Sequence, residues 1–198
     1  MIQPSEITWR NGLIIPIGLA WLAIAHPQKL QGWVLGLGAG LTVAGLAMRL
    51  WSAGCLIKND KLSTGGPYRF LRDPMYFGSM LCVTGLLTAA GNFGLLAAFH
   101  VVFHLFVMPR KQRQEGQRLL RRFGTDYADY VVSVSSLVPR LTPYESKEPT
   151  EFDFKHALFR NHEWGIWMLV VAIAAVLALK AAGLIPWLEL PWAIPRWI

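Results

Sequence analysis

Cysteine is nearly absent from this 198-residue chain, which has two, Cys55 and Cys82. Both fall in or beside apolar stretches, without a second thiol or histidine at metal-ligand spacing, so a disulfide framework is not expected and inert thiols are. Charge is scarce too. Charged residues make up 16% of the chain and hydrophobic ones 54%, with a mean hydropathy of +0.36. An ordinary soluble domain carries about 25% charged residues, so this composition points to a polytopic membrane protein. Histidine stops at five, too few for a membrane di-iron oxygenase. Acidic residues are outnumbered 12 to 19 by Lys and Arg, for a formal charge of +7. In a soluble protein that excess would suggest nucleic acid. Here cytoplasmic-side enrichment of Lys and Arg and contact with anionic headgroups account for it, and no nucleic-acid partner is expected. No small-residue cleavage site follows the first apolar run, so no cleaved signal peptide is expected. No polar stretch is long enough for a soluble domain, so residues 1–198 read as a single integral membrane unit.

What the chain has in abundance is apolar runs and tryptophan. Five helices are expected: Gly12–Ala25, Gly32–Ala53, Met75–Ala90, Leu95–Met108 and Trp164–Ala182. The first is short for a span, is anchored by Trp9 and Arg10, and contains Pro16. Gly91-Asn92-Phe93-Gly94 is a tight turn, making the third and fourth helices a hairpin. The nine tryptophans suit interfacial belts, and the tail with Trp187, Trp192 and Trp197 reads as an interfacial segment. On the second helix Gly32, Gly36 and Gly40 recur every four residues, continued by Ala44 and Met48, a face suited to close helix contact. Arg49, near its end, either snorkels to the surface or faces a polar pocket. His100 and His104 share a face of the fourth helix, where interhelical hydrogen bonding, pocket lining and metal binding are the possible uses. His156 and His162 flank the start of the last helix as mouth or interface residues.

Two polar stretches interrupt this pattern. Residues 109–130 place Leu119, Phe123, Tyr127 and Tyr130 on one helical stripe beside Leu120, with a strongly basic opposite face. That is the pattern of an amphipathic helix lying on headgroups, although Gly116 and the lone Glu115 have no place in it. Residues 142–154 read as a polar surface loop. The other stretch, 62–78, gathers Gly65, Gly66, Pro67 and Pro74 among Tyr68, Arg69, Arg72 and Tyr76. Glycine and proline set special backbone angles there. Asp73-Pro74 has the form of an N-cap followed by a first-turn proline, and a helix N-terminus beside arginines is an anion site. Both basic stretches belong on the cytoplasmic side, which puts the N-terminus inside and the C-terminus outside.

Gly66-Pro67-Tyr68, then Arg72-Asp73-Pro74-Met75-Tyr76-Phe77-Gly78, a helical hairpin, and Gln114-Glu115 followed by Leu119, Phe123-Gly124 and Tyr127 together resemble the isoprenylcysteine carboxyl methyltransferase family and its relatives, the membrane phospholipid methyltransferases. The resemblance covers about residues 49–139, leaving 155–198 as an added C-terminal span and tail. It departs from the family pattern at Asp73, where histidine is usual, and at Gln114, the first of a usual glutamate pair. The resemblance implies S-adenosylmethionine as methyl donor, held on the cytoplasmic side of what would be a bacterial inner membrane. The acceptor it implies is a lipid, a lipidated group or a small hydrophobic molecule. It further implies that Gly66, Pro67, Tyr68, Arg72, Asp73, Pro74, Tyr76, Gly78 and Glu115 line the donor site, with Tyr127 and Tyr130 closing it. Arg72 and the amides after Pro74 suit the donor's carboxylate, and Glu115 suits its ribose and amino group. Asp73 is either a plain N-cap or a neighbour of the sulfonium. Arg110 and Arg113 either orient an anionic acceptor or contact headgroups. No metal is expected, and the oligomeric state is not legible. Two other readings stay open at this point: a nicotinamide-dependent membrane sterol reductase, which shares an Arg-His-Pro-x-Tyr loop, and a non-catalytic protein retaining the fold.

Overall fold

The computed structural model describes residues 32–56, 62–146, 150–160 and 163–184. The expected first span, His162 and the tryptophan tail lie outside them. The described residues form α1 (Gly32–Gly54), a 3-10 turn (Gly66–Arg69), α2 (Pro74–Ala89), α3 (Phe93–Val102), a π-helical turn (Phe103–Val107), α4 (Met108–Ser133), a second π turn (His156–Arg160) and α5 (Glu163–Ala181). There is no strand among them, as an all-α membrane bundle requires. Gly32–Gly54, Phe93–Ser133 and Glu163–Ala181 are long and apolar enough to cross a bilayer, and Pro74–Ala89 is a shorter apolar helix.

The fourth span and the basic stretch are not separate helices. They form one continuous helical run from Phe93 to Phe123, with a break at Gly124 before the last turns, which end at Ser133. Pro109 reads as a stop because it cannot donate to the carbonyl four residues back. The π turn at Phe103–Val107 directly ahead of it absorbs that missing bond and the chain continues. From Phe93 to Phe123 such a helix extends about 46 Å, against roughly 30 Å of hydrocarbon. Its basic half therefore rises out of the bilayer instead of lying flat on it. Val101, Val102, Leu105 and Phe106 are exposed on the apolar half, as lipid-facing residues are.

The close face of α1 is also displaced from the expected one. Among the described residues, no atom lies within 4 Å of a Cβ added at Gly32, Gly36 or Gly40, and Ala44 is exposed. The buried face is Gly38, Thr42, Gly45, Arg49 and Ser52. A Cβ at Gly45 would lie 2.6 Å from both the Gly78 carbonyl and the Cys82 amide, and one at Gly85 would lie 2.5 Å from both the Gly38 carbonyl and the Thr42 amide. In an apolar helix hydrophobicity does not mark the inside; small and polar residues do. Thr42, Arg49 and Ser52 select the face that bears Gly38 and Gly45. α5 closes the bundle, packing Val170 and Leu177 on Leu46, Cys82, Leu86 and Ala90. At the far end Gly91 takes φ +69° and the Asn92 side chain caps α3 by accepting from the Leu95 amide at 3.1 Å, the expected turn.

Candidate active site

The stretch from 62 to 73 is held by the chain that follows α4. The amides of Arg72 and Asp73 donate to the carbonyls of Ser135 and Ser136 at 2.8 and 3.2 Å, and those of Arg140 and Tyr144 donate to Phe70 and Arg69 at 3.0 and 2.9 Å. The Tyr130 hydroxyl donates to the Tyr68 carbonyl at 2.8 Å. Tyr68 is buried, and that burial, reinforced by Tyr130 and Asp73, pushes its phenol well above the ordinary value, so it stays neutral.

Gly124 makes this backing possible. Its φ of +54° and ψ of −125° break α4, so the last turns double back. A Cβ at Gly116 would lie 3.4 Å from the Tyr127 hydroxyl oxygen. On a straight helix those two residues would be about 16 Å apart along the axis. Gly116 thus leaves room for the returning Tyr127. Tyr127, Tyr130 and Val134 bury together against Leu62, Leu119, Phe123 and Tyr144. The tyrosine stripe read from the sequence is a real face, folded back at its glycine.

This fold-back brings the two motif stretches into contact. The Tyr76 hydroxyl donates to Glu115 Oε1 at 3.3 Å. Lys111 Nζ lies 3.5 Å from the same oxygen and 5.4 Å from the centre of the Tyr76 ring. Lys111 was not singled out in the sequence; its place one turn before Glu115 on the same face was the available signal. On the same part of α4, Arg72, Gln112, Arg113, Gly116, Leu120 and Tyr127 line a cleft of about 440 Å³, which Tyr76 and Glu115 do not themselves line.

Asp73 stands at the N-cap position before Pro74, and its carbonyl accepts from the Tyr76 and Phe77 amides at 3.1 Å each, but its side chain caps nothing. The carboxylate instead accepts from the Ser136 hydroxyl and lies 3.6 Å from Arg72 Nε. Ser136 in turn accepts from Gln112 Nε2 at 2.8 Å. A hydroxyl and a guanidinium outside the helix outcompete its own amides, so Asp73 ties the loop to α4. Gln114 lines a different depression, of about 330 Å³, with Gln117, Arg118, Arg121 and Arg122. The two departures from the family pattern therefore leave the Tyr76–Glu115 contact in place.

Other residues read as site-lining sit elsewhere. Gly66, with φ +55°, packs on Cys55, and Gly78 faces α1. Pro67 and Pro74 are buried, and Arg110 is exposed without lining the cleft. Arg49 occupies a polar pocket: it is 8% exposed and its Nη2 is 2.7 Å from Oε1 of Glu163, which is 0% exposed. Sequence reading missed Glu163. A lone acid opening an apolar span was the available signal. His100 makes the interhelical hydrogen bond, its Nε2 3.1 Å from Thr84 Oγ1, with His104 stacked on it at 5.7 Å.

The phospholipid methyltransferase family matches residues 33–126 of the chain. The cobalt-zinc-cadmium resistance protein CzcN of Cupriavidus metallidurans is 28% identical over 171 residues, covering 83% of this chain and 77% of that protein. No solved structure matches. The matched stretch contains Tyr76, Lys111 and Glu115, and the resemblance read from the motifs is borne out.

Proposed function

We propose that this chain, a membrane protein whose residues 33–126 match the phospholipid methyltransferase family, transfers a methyl group from S-adenosylmethionine to a lipid, lipidated or small hydrophobic acceptor. The observation that carries this reading is the Tyr76–Glu115 hydrogen bond at 3.3 Å, with the arginine-lined cleft on the same part of α4. It joins motif stretches 39 residues apart at one mouth of the bundle. The cleft's about 440 Å³ falls in the usual range for small-molecule sites. Its lining offers the Arg72 and Arg113 guanidiniums for a carboxylate and the aliphatic carbon of Leu120 and Val131. The carboxylate for ribose hydroxyls and an amino group is Glu115, outside that lining and next in sequence to Gly116, which belongs to it.

When bound, the cofactor supplies an electrophilic methyl group. Displacement in line needs alignment and partial exclusion of water more than acid–base groups. Arg72 orients the donor's carboxylate and Glu115 its ribose. Tyr127 and Leu120 give the cleft an aromatic ring and aliphatic carbon. Arg113, on the cleft, orients an anionic acceptor, and Arg110, outside it, holds headgroups. A carboxylate or thiolate acceptor then needs no base. The arginines of the loop and of α4 support a cytoplasmic position for this mouth, and a bacterial inner membrane is the setting that goes with this reading. The name of the Cupriavidus relative speaks of resistance to cobalt, zinc and cadmium. Methylation of a membrane component is the contribution this site would make in that setting.

The test is transfer of radiolabelled methyl from S-adenosylmethionine by the purified protein in nanodiscs made from bacterial lipid extract. Label is expected in the organic-soluble fraction, falling at least tenfold with Arg72→Ala. A folded protein that transfers no label to lipids, small hydrophobic acids or lipidated peptides would overturn the reading.

A further inference from the structure

The C-terminal span lies outside the family match, which ends at residue 126, yet its first residue neutralises a charge inside that match. The two oxygens of the fully buried Glu163 accept from Arg49 Nη2 and Nε at 2.7 and 3.1 Å. The remaining nitrogen of the fork turns to α2. Arg49 Nη1 donates to the Met75 carbonyl at 3.4 Å and to the Ser79 hydroxyl, and Ser79 itself donates to that carbonyl at 2.9 Å. Gly78 makes room for the stem: a Cβ there would lie 2.7 Å from Arg49 Cγ. One guanidinium thus grips the first turn of α2 from behind. Tyr76, about 200° around the helix from Gly78, leaves the same turn on the other side and donates to Glu115.

We propose that Arg49 and Glu163 are positioning residues for the candidate donor site. Glu163 aims the fork, the fork fixes the first turn of α2, and that turn sets Tyr76 against Glu115. Stability alone does not call for this arrangement, since well-packed apolar residues replace buried ion pairs at little or no loss. A planar fork with one oxygen pair on α5 and two acceptors on α2 specifies geometry. α5 is thereby a working part of the donor site and not an appended anchor. The consequence for donor affinity rests on the methyltransferase reading; the consequence for the α2 turn does not.

The experiment uses the full chain in nanodiscs and three variants: Ser79→Ala, Glu163→Gln, and the reversal Arg49→Glu/Glu163→Arg. The readouts are hydrogen exchange across residues 76–80, thermal midpoint, and S-adenosylmethionine affinity. The reversal restores charge pairing, but a carboxylate at position 49 cannot donate to the Met75 carbonyl. It should therefore recover most of the midpoint lost in Glu163→Gln while exchange at 76–80 stays at least tenfold faster and donor affinity at least tenfold weaker than wild type. Ser79→Ala, which removes the two hydrogen bonds of that hydroxyl and leaves the pair, should show a three- to tenfold change in both. A reversal that restores exchange and affinity along with the midpoint would reduce the pair to a structural role and overturn the proposal. So would exchange at 76–80 that is unchanged in Ser79→Ala. If the wild type binds no donor, the exchange data still decide the proposal and the methyltransferase reading fails separately. If Glu163→Gln does not fold, Ser79→Ala and the reversal carry the test against wild type.

Discussion

Alanine at Gly45 or Gly85 is expected to separate α1 from α2 and cost the protein much of its stability. At Gly45 the new methyl would meet the Gly78 carbonyl and the Cys82 amide at 2.6 Å each, and at Gly85 it would meet the Gly38 carbonyl and the Thr42 amide at 2.5 Å each. These are backbone atoms of the opposing helix, which cannot rotate aside as a side chain can. Overpacking ordinarily costs about 1–3 kcal/mol, and a site walled by backbone belongs at or above the top of that range. The comparison that makes the prediction specific is alanine at Gly36 and Gly40, where nothing among the described residues lies within 4 Å. Those changes should be neutral or stabilising, by up to about 1 kcal/mol of helix propensity. Thermal unfolding in detergent followed by circular dichroism measures all four. Damage at 36 and 40 with tolerance at 45 and 85 would mean that the helices meet on the other face.

Gly124→Val should disable the site while leaving the bundle standing. A φ of +54° with ψ of −125° is a backbone region that glycine occupies freely and a β-branched residue does not, at a cost of about 1–3 kcal/mol. Valine removes that cost by straightening α4. Straightening takes Tyr127 away from Gly116 and Tyr130 away from the Tyr68 carbonyl, where its hydroxyl now sits at 2.8 Å. The chain from Val134 to Tyr144, which pairs with the loop through Arg72, Asp73, Phe70 and Arg69, would lose its anchor. Helix content should hold, trypsin should cut after Arg121, Arg122 and Arg140 at least tenfold faster, and donor affinity should fall at least tenfold. A variant with wild-type proteolysis would show that the fold-back does not depend on this glycine.

Both predictions come from features that hydropathy could not supply. The spans were legible because a bilayer sets their length and composition. That Tyr76 and Glu115 share one site was implied only by the family resemblance; the hairpin between the two motif stretches is what returns the chain to the same surface. The register of α1 was not, because the glycines at 32, 36 and 40 repeat more plainly than Gly38 and Gly45. Only the buried Thr42, Arg49 and Ser52 tell the two faces apart. Pro109 hid the continuity of α3 with α4, since a π turn that absorbs a proline leaves no mark in composition. Glu163 lay 114 residues from its partner and read as an ordinary helix start. Asp73 has the right type and place for an N-cap, and its side chain was drawn off by Ser136, a residue no local pattern connects to it. The expected first span and tryptophan tail fall outside the described residues.

Calorimetric titration of S-adenosylmethionine into the protein in lipid nanodiscs, with Glu115→Ala alongside, tests the central claim most directly. Saturable binding by the wild type that weakens at least tenfold in Glu115→Ala, with thermal midpoints alike, is the predicted result. A folded wild type that takes up no heat of binding, or an alanine variant that binds as the wild type does, would contradict it.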